Sequence, residues 1–479
     1  MPVRFHFLVA VFAFAAASCG SGGERRFDVL IAGDPETALS DKIPLSDAAA
    51  LLREARGAGL VALDAEGRIR PDLAARWIVT DDGLSYIFRF EPNETQGSDP
   101  LTAQDVRKAL LAAIGALDGT GLGLDLRIVD GIFARTDEVI EIRLKTAMPE
   151  FLQLLAAPEL ALRLESEGNR APGALDISED ERVLTLSRGM DDAAATLDVR
   201  VASPKEAVRR FQEGQAELML GGGIDALPHV ELGGLLRGSI RLDPVTGVFG
   251  LAVAPGDSDF LSRAANREAI SMAIDRSALI APFGIGGWTA RTRLVPVGPP
   301  GTAQPPGRWD GVSIEERQSF AAQRIAGWLA SEGAIAPITV SLPEGSGGDI
   351  LFRRLNTDMN RIGLSLKRVG MEEKAQLRLI DEVATLDRPE WYLHRLDCSV
   401  IRAACSEEAD NLVAQALPET DMQLRGEMLA EAEAILTAHN GFISFGPPIR
   451  FSLVRGGIAG FAINRWGFHP LSALLSDPT

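Results

Sequence analysis

The side chains able to carry nucleophilic, acid–base or metal chemistry are few and scattered along this chain. His229, His394, His439 and His469 have no cysteine or carboxylate at the spacing of a metal-ligand motif. There is no phosphate-loop lysine motif, no zinc helix with paired histidines, and no serine between glycines at the nucleophile-elbow spacing. Gly221-Gly222-Gly223 and Gly286-Gly287 complete no dinucleotide fingerprint and read as turns. With 66 Asp and Glu residues, carboxylate pairs arise by chance and identify no acid–base site. The chain therefore reads as a non-enzyme, with no catalytic residue, no cofactor and no metal site.

The three cysteines say more about location than about catalysis. Arg4 and His6 precede an apolar run from Phe7 to Ala17, then Ser18 and Cys19. That run is too short to cross a bilayer, which needs roughly 20 residues. A basic start, a short apolar core and small residues before a cut site describe a secretory signal over residues 1–18. Ala16-Ala17-Ser18-Cys19 resembles a bacterial lipobox with Ala16 in its first position, which makes the Cys19 thiol the lipidation site. Simple signal cleavage, with Cys19 an ordinary small residue, is the other reading. Residues 19–26 then form a polar tether. Export leaves Cys398 and Cys405 in an oxidising compartment, either bridged across a short loop or as two buried thiols.

Length and charge bound the rest. A chain of 479 residues calls for two or three folding units. The net charge of −18 excludes nucleic acid and electrostatic membrane binding, both of which need clustered Lys and Arg.

The elements that must position any site alternate between strand and helix. Leu84, Tyr86, Phe88 and Phe90 predict a half-buried strand, as do Ile140, Ile142 and Leu144. Thr102 with Asp105, and Ser313 with Glu316, predict capped helix starts. Ser203-Pro204-Lys205-Glu206 predicts another, ending at Gly214, and Ala322, Ile325 and Leu329 share one predicted helix face. Gly284–Gly287 and 295–307 read as connectors. This is a mixed α/β chain.

From Leu63 the sequence resembles a known family. Leu63-Asp64-Ala65-Glu66-Gly67, Pro71-Asp72-Leu73-Ala74, Trp77, Asp82 to Phe88 and Leu101 to Val106 follow in the order found in family-5 extracellular solute-binding proteins of ABC importers, which bind oligopeptides and dipeptides. Gln212 to Leu218, Asn266 to Arg276, Asn356 to Val369, Arg425 to Leu436 and Gly460-Phe461 continue the resemblance. It implies a two-lobed periplasmic-binding-protein-like fold (type II, cluster C-like) with an extra subdomain in the first lobe. The first lobe is expected over 27–249 with 456–479, the subdomain over about 48–165, and the second lobe over 250–455. The hinge is expected near Gly247 to Ala254, with the chain returning near Gly457.

The resemblance also implies a function: a lipid-anchored, exported monomer in the periplasm or cell envelope that encloses a peptide or other small solute and presents it to ABC permease subunits. The alternative is an envelope lipoprotein that keeps the fold and acts as an interaction scaffold. The family's ligand-pairing aspartate falls on Thr385, four residues before Pro389, and Gln96 to Pro100 stand where a Trp-x-Asp-Gly motif is usual. The ligand-binding candidates are then Asp381, Asp387 and Trp391, with Thr246 and Phe249 from the hinge.

Overall fold

The computed structural model describes residues 26–90, 101–163, 176–180, 183–187, 196–231, 238–296, 308–309, 311–401 and 403–475. The signal, lipobox and most of the tether, the segment 96–100 and most of the connector 295–307 lie outside the described residues.

Two sheets organise the chain. One has seven strands, in spatial order Ile240–Leu242, Phe451–Val454, Leu218–Gly222, Arg26–Ala32, Thr196–Ala202, Val183–Ser187 and Asp176–Asp180. Its central strand, Arg26–Ala32, pairs in parallel with both neighbours. The other has five strands, in order Leu366–Val369, Ile338–Ser341, Leu377–Val383, Gly247–Val253 and Phe442–Gly446. The chain passes between the sheets twice, through 243–246 and back through 447–450. The two passages touch, because the Asp243 N–H donates to the Arg450 carbonyl at 3.0 Å. The return thus precedes Phe451, earlier than the expected position near Gly457. Phe451–Val454, expected in the second lobe, lies hydrogen-bonded in the seven-stranded sheet.

A third unit follows the first helix. Strands Ala74–Val79, Ser85–Phe90, Val139–Leu144 and Val129–Thr136 form an antiparallel four-stranded sheet whose buried cluster continues into second-lobe residues such as Trp391, Tyr392 and Leu429. Tyr86, Phe88 and Phe90 point inward at every second position, as the alternation predicts. The helix Asp47–Arg56, expected in this subdomain, buries Ala48, Leu51, Leu52 and Ala55 in the cluster around the seven-stranded sheet instead.

Helix starts follow their local chemistry. Thr102 and Asp105, and Ser313 and Glu316, form reciprocal capping boxes. The helix Pro204–Gln212 begins at its proline, but Ser203 makes no side-chain cap. Glu206 is drawn to Arg209 and Arg210, at 2.6 Å each, and is lost to the box. On the helix Ile314–Ser331 the buried face is Ala321, Ile325 and Trp328, while Leu329, expected with Ile325, is exposed.

Candidate ligand site

The passages between the sheets bring most of the expected ligand residues into one region, yet commit many of them to structure. Phe249 pairs with Asp381 across neighbouring strands, and Thr246 accepts the Ala384 N–H at 2.7 Å. Phe249 is fully buried, its ring edge-on to Phe445 with centroids 5.5 Å apart. It packs the core and is closed to a ligand. Asp387 is exposed and paired with Arg465 at 2.6 Å.

Trp391 is also fully buried. Its indole N–H donates to Thr385 Oγ1 at 3.0 Å, and the Arg395 guanidinium lies 4.1 Å from its ring centroid. An apolar or aromatic residue looks alike in sequence whether it lines a pocket or fills a core. Trp391 fills one, and Thr385 holds it there.

Asp381 sits at the hinge itself. Arg450, on the returning passage, donates to Asp381 Oδ1 at 2.9 Å and to its carbonyl at 3.1 Å. The same guanidinium reaches Asp47 at 3.4 Å, on the first turn of the helix Asp47–Arg56. Burial pushes the Asp381 carboxyl up, and Arg450 opposes that shift. Arg450 therefore ties both sheets through one cation, a role that nothing in its sequence neighbourhood signals.

Beside the hinge, the four-stranded unit meets the second lobe through charge. Asp125 accepts Arg395 at 2.6 Å and pairs with His394 Nδ1 at 2.7 Å, all three buried. Arg395 also reaches Glu382 at 3.0 Å. Glu150 pairs with Arg388 at 3.2 Å, and Thr146 donates to the Leu417 carbonyl at 3.0 Å. Burial pushes the Glu159 carboxyl up, with Glu382 adding to the shift and Arg395 and Arg53 opposing it. Arg395 and Arg450 are buried and Arg388 is half-buried, all of them paired, while Asp47 and Glu382 are exposed partners of Arg450 and Arg395.

A direct contact closes the far side of the cleft between the two main sheets. Asp225, after the strand Leu218–Gly222, accepts the N–H of Gly348 at 3.1 Å. Gly348 lies in the first turn of the helix Ser346–Arg361, which packs on the five-stranded sheet. A side chain on Gly347 would meet the Ile224 carbonyl at 2.3 Å, so the approach demands glycine.

Cys398 and Cys405 are bonded to each other, with Cα atoms 5.2 Å apart. Among the described residues, no three His, Cys, Asp or Glu side chains cluster as metal ligands, and no helix is long and apolar enough to cross a membrane.

No protein-family model matches this sequence. Haemophilus influenzae OppA in complex with the peptide RPPGFSPFR superposes with a TM-score of 0.80 at 14% identity, over 95% of this chain and 99% of that one. The Escherichia coli murein tripeptide binding protein MppA gives 0.79 at 16% identity, over 94% and 98%. Its unliganded open form gives 0.60 at the same identity. The chain thus has the two-lobed fold of OppA-like periplasmic binding proteins. The probable deoxycholate-binding periplasmic protein YgiS of Escherichia coli is 29% identical over 154 residues, and that match spans only 27% of its length.

Proposed function

We propose that this chain is a family-5 extracellular solute-binding protein, the extracytoplasmic substrate-binding component of an ABC importer, and not an enzyme. It captures a peptide or other small solute between its two lobes. The observation that carries this reading is the fold match along nearly the whole length of both chains, with two passages linking two sheets. Hinged lobes suit capture because closure buries the ligand and marks occupancy for a partner. The hydrogen bond between Asp225 and Gly348, which joins the two main sheets' lobes, supports a cycle that includes a closed arrangement. Thr385, whose hydroxyl accepts the indole N–H of Trp391, carries no charge to pair with a ligand's ammonium group.

Ligand-dependent thermal stabilisation tests the reading, since a ligand bound only to the native state raises stability with its concentration. Basic and neutral oligopeptides, a murein tripeptide, deoxycholate and opines form the panel. A melting temperature that none of them moves removes the capture role and leaves the envelope scaffold.

Export and anchoring belong to the same proposal. The apolar run Phe7 to Ala17 and the lipobox-like Ala16 to Cys19 support a periplasmic, membrane-tethered monomer that delivers solute to permease subunits. Replacing Cys19 with Ala should abolish lipid labelling; labelling that persists rules out acylation there.

A further inference from the structure

The packing between the four-stranded unit and the second lobe leaves a gap that the hinge site does not use. A cavity of about 290 Å³ opens between residues 124–145 of the four-stranded unit and 394–418 of the second lobe. That is about ten times the share of liquid volume taken by one water, and near the lower end of small-molecule pockets. Two neighbouring cavities, about 20 Å³ each, hold no more than a water.

Its lining sorts by chemistry. Leu124 and Ile128 from one side, and Val413 and Leu417 from the other, make an apolar floor. Arg127 and Lys145 stand on the first wall, both exposed, and Asp397 and Asp410 on the second. None of these four forms an ion pair with a described residue. Opposite charges therefore flank one space without closing on each other.

The acidic wall is held in place. Asp410 Oδ2 accepts the Cys398 N–H at 3.0 Å, and Asp397 Oδ1 accepts the N–H and hydroxyl of Ser399 at 2.8 and 2.5 Å. The bridge from Cys398 to Cys405 ties the ends of the loop these bonds anchor. Behind it, His394 is oriented by Asp125. Burial lifts the Asp410 carboxyl to about 6, with Asp397 and Glu407 adding, so a cation arriving there stabilises its charged form. A singly charged solute would be attracted by one wall and repelled by the other.

We propose that this cavity binds a small dipolar solute. Its cationic group meets Asp397 and Asp410, its anionic group meets Arg127 and Lys145, and its apolar body lies along Leu124, Ile128, Val413 and Leu417. No wall comes from the seven-stranded sheet, so the solute sits apart from the Asp225–Gly348 contact; because its walls belong to the four-stranded unit and the second lobe, the proposal rests on the capture role and names a solute class for it.

Calorimetric titration with ω-amino acids of four to eight carbons tests this, with hexanoate and hexylamine as singly charged controls. One member of the series binds at one site per chain, and both controls bind at least about tenfold more weakly. Asp410→Asn and Lys145→Ala each weaken binding by about tenfold or more. Ala414→Trp, at an exposed rim position, blocks it. Absence of binding across the series overturns the proposal, as does binding that Ala414→Trp leaves intact. Loss in Gly347→Val with retention in Ala414→Trp puts the solute beside the Asp225–Gly348 contact and also overturns it.

Discussion

Asp225 and Gly348 join the two lobes through one hydrogen bond, a carboxylate oxygen accepting a backbone N–H at 3.1 Å. The donor is one of the unpaired amides at a helix start, where a carboxylate is favoured. The neighbouring Gly347 permits the approach. Gly347→Val puts a side chain where its Cβ would lie 2.3 Å from the Ile224 carbonyl. The lobes then separate. The expected result is a larger radius of gyration in small-angle scattering, an unchanged circular dichroism spectrum, and cleft affinity weakened by at least about tenfold, about 1.4 kcal/mol. An unchanged radius would show that this contact does not limit closure.

The same carboxylate predicts a pH dependence. Burial lifts Asp225 from an ordinary 3.8 to about 6; Asp381 and Asp349 add, while the Gly348 N–H and Arg368 oppose. Its native value lies above its unfolded one, so the native state holds the proton more tightly between the two. Stability from this group falls as pH rises through that window, and the full penalty stands above about 6. Asp225→Asn keeps the accepting oxygen and removes the charge. It should stabilise the protein at pH 7.5 by about 1–3 kcal/mol, with the gain shrinking towards pH 4. A gain independent of pH would show that the carboxylate carries no burial penalty.

Arg395 and Asp125 tie the four-stranded unit to the second lobe, and each is almost fully buried. Arg395→Met strips Asp125 of its cation and should cost about 3–5 kcal/mol in denaturant unfolding. Adding Asp125→Leu removes the stranded charge and should recover much of that loss. A single variant costing under about 1 kcal/mol would place the pair among weak surface bridges.

How much of this could be read from the sequence depends on the range of each interaction. Thr102 with Asp105 and Ser313 with Glu316 are legible because a capping box closes within four residues. The alternation of Tyr86, Phe88 and Phe90 is legible because pleating sets it locally. Leu329 was misplaced because helical spacing alone does not say which flank of an apolar stripe meets the core; Trp328 took that place. The junction residues were not legible at all. Asp125 meets Arg395 across 270 positions, and Arg450 meets Asp381 across 69. Neither pairing exists until distant parts of the chain fold together.

Thr385 is the sharpest case, because its type excluded one role without revealing the other. Its hydroxyl oxygen receives the indole N–H of fully buried Trp391 at 3.0 Å. Thr385→Val keeps the shape and removes the acceptor, leaving a buried donor unsatisfied. The expected cost is about 1–3 kcal/mol of stability. Solute affinity, read by calorimetry well below the melting temperature, should change less than about twofold, on the order of 0.4 kcal/mol. A variant of normal stability that loses its solute would instead make Thr385 a ligand contact, and the position would have kept its family role with a different side chain.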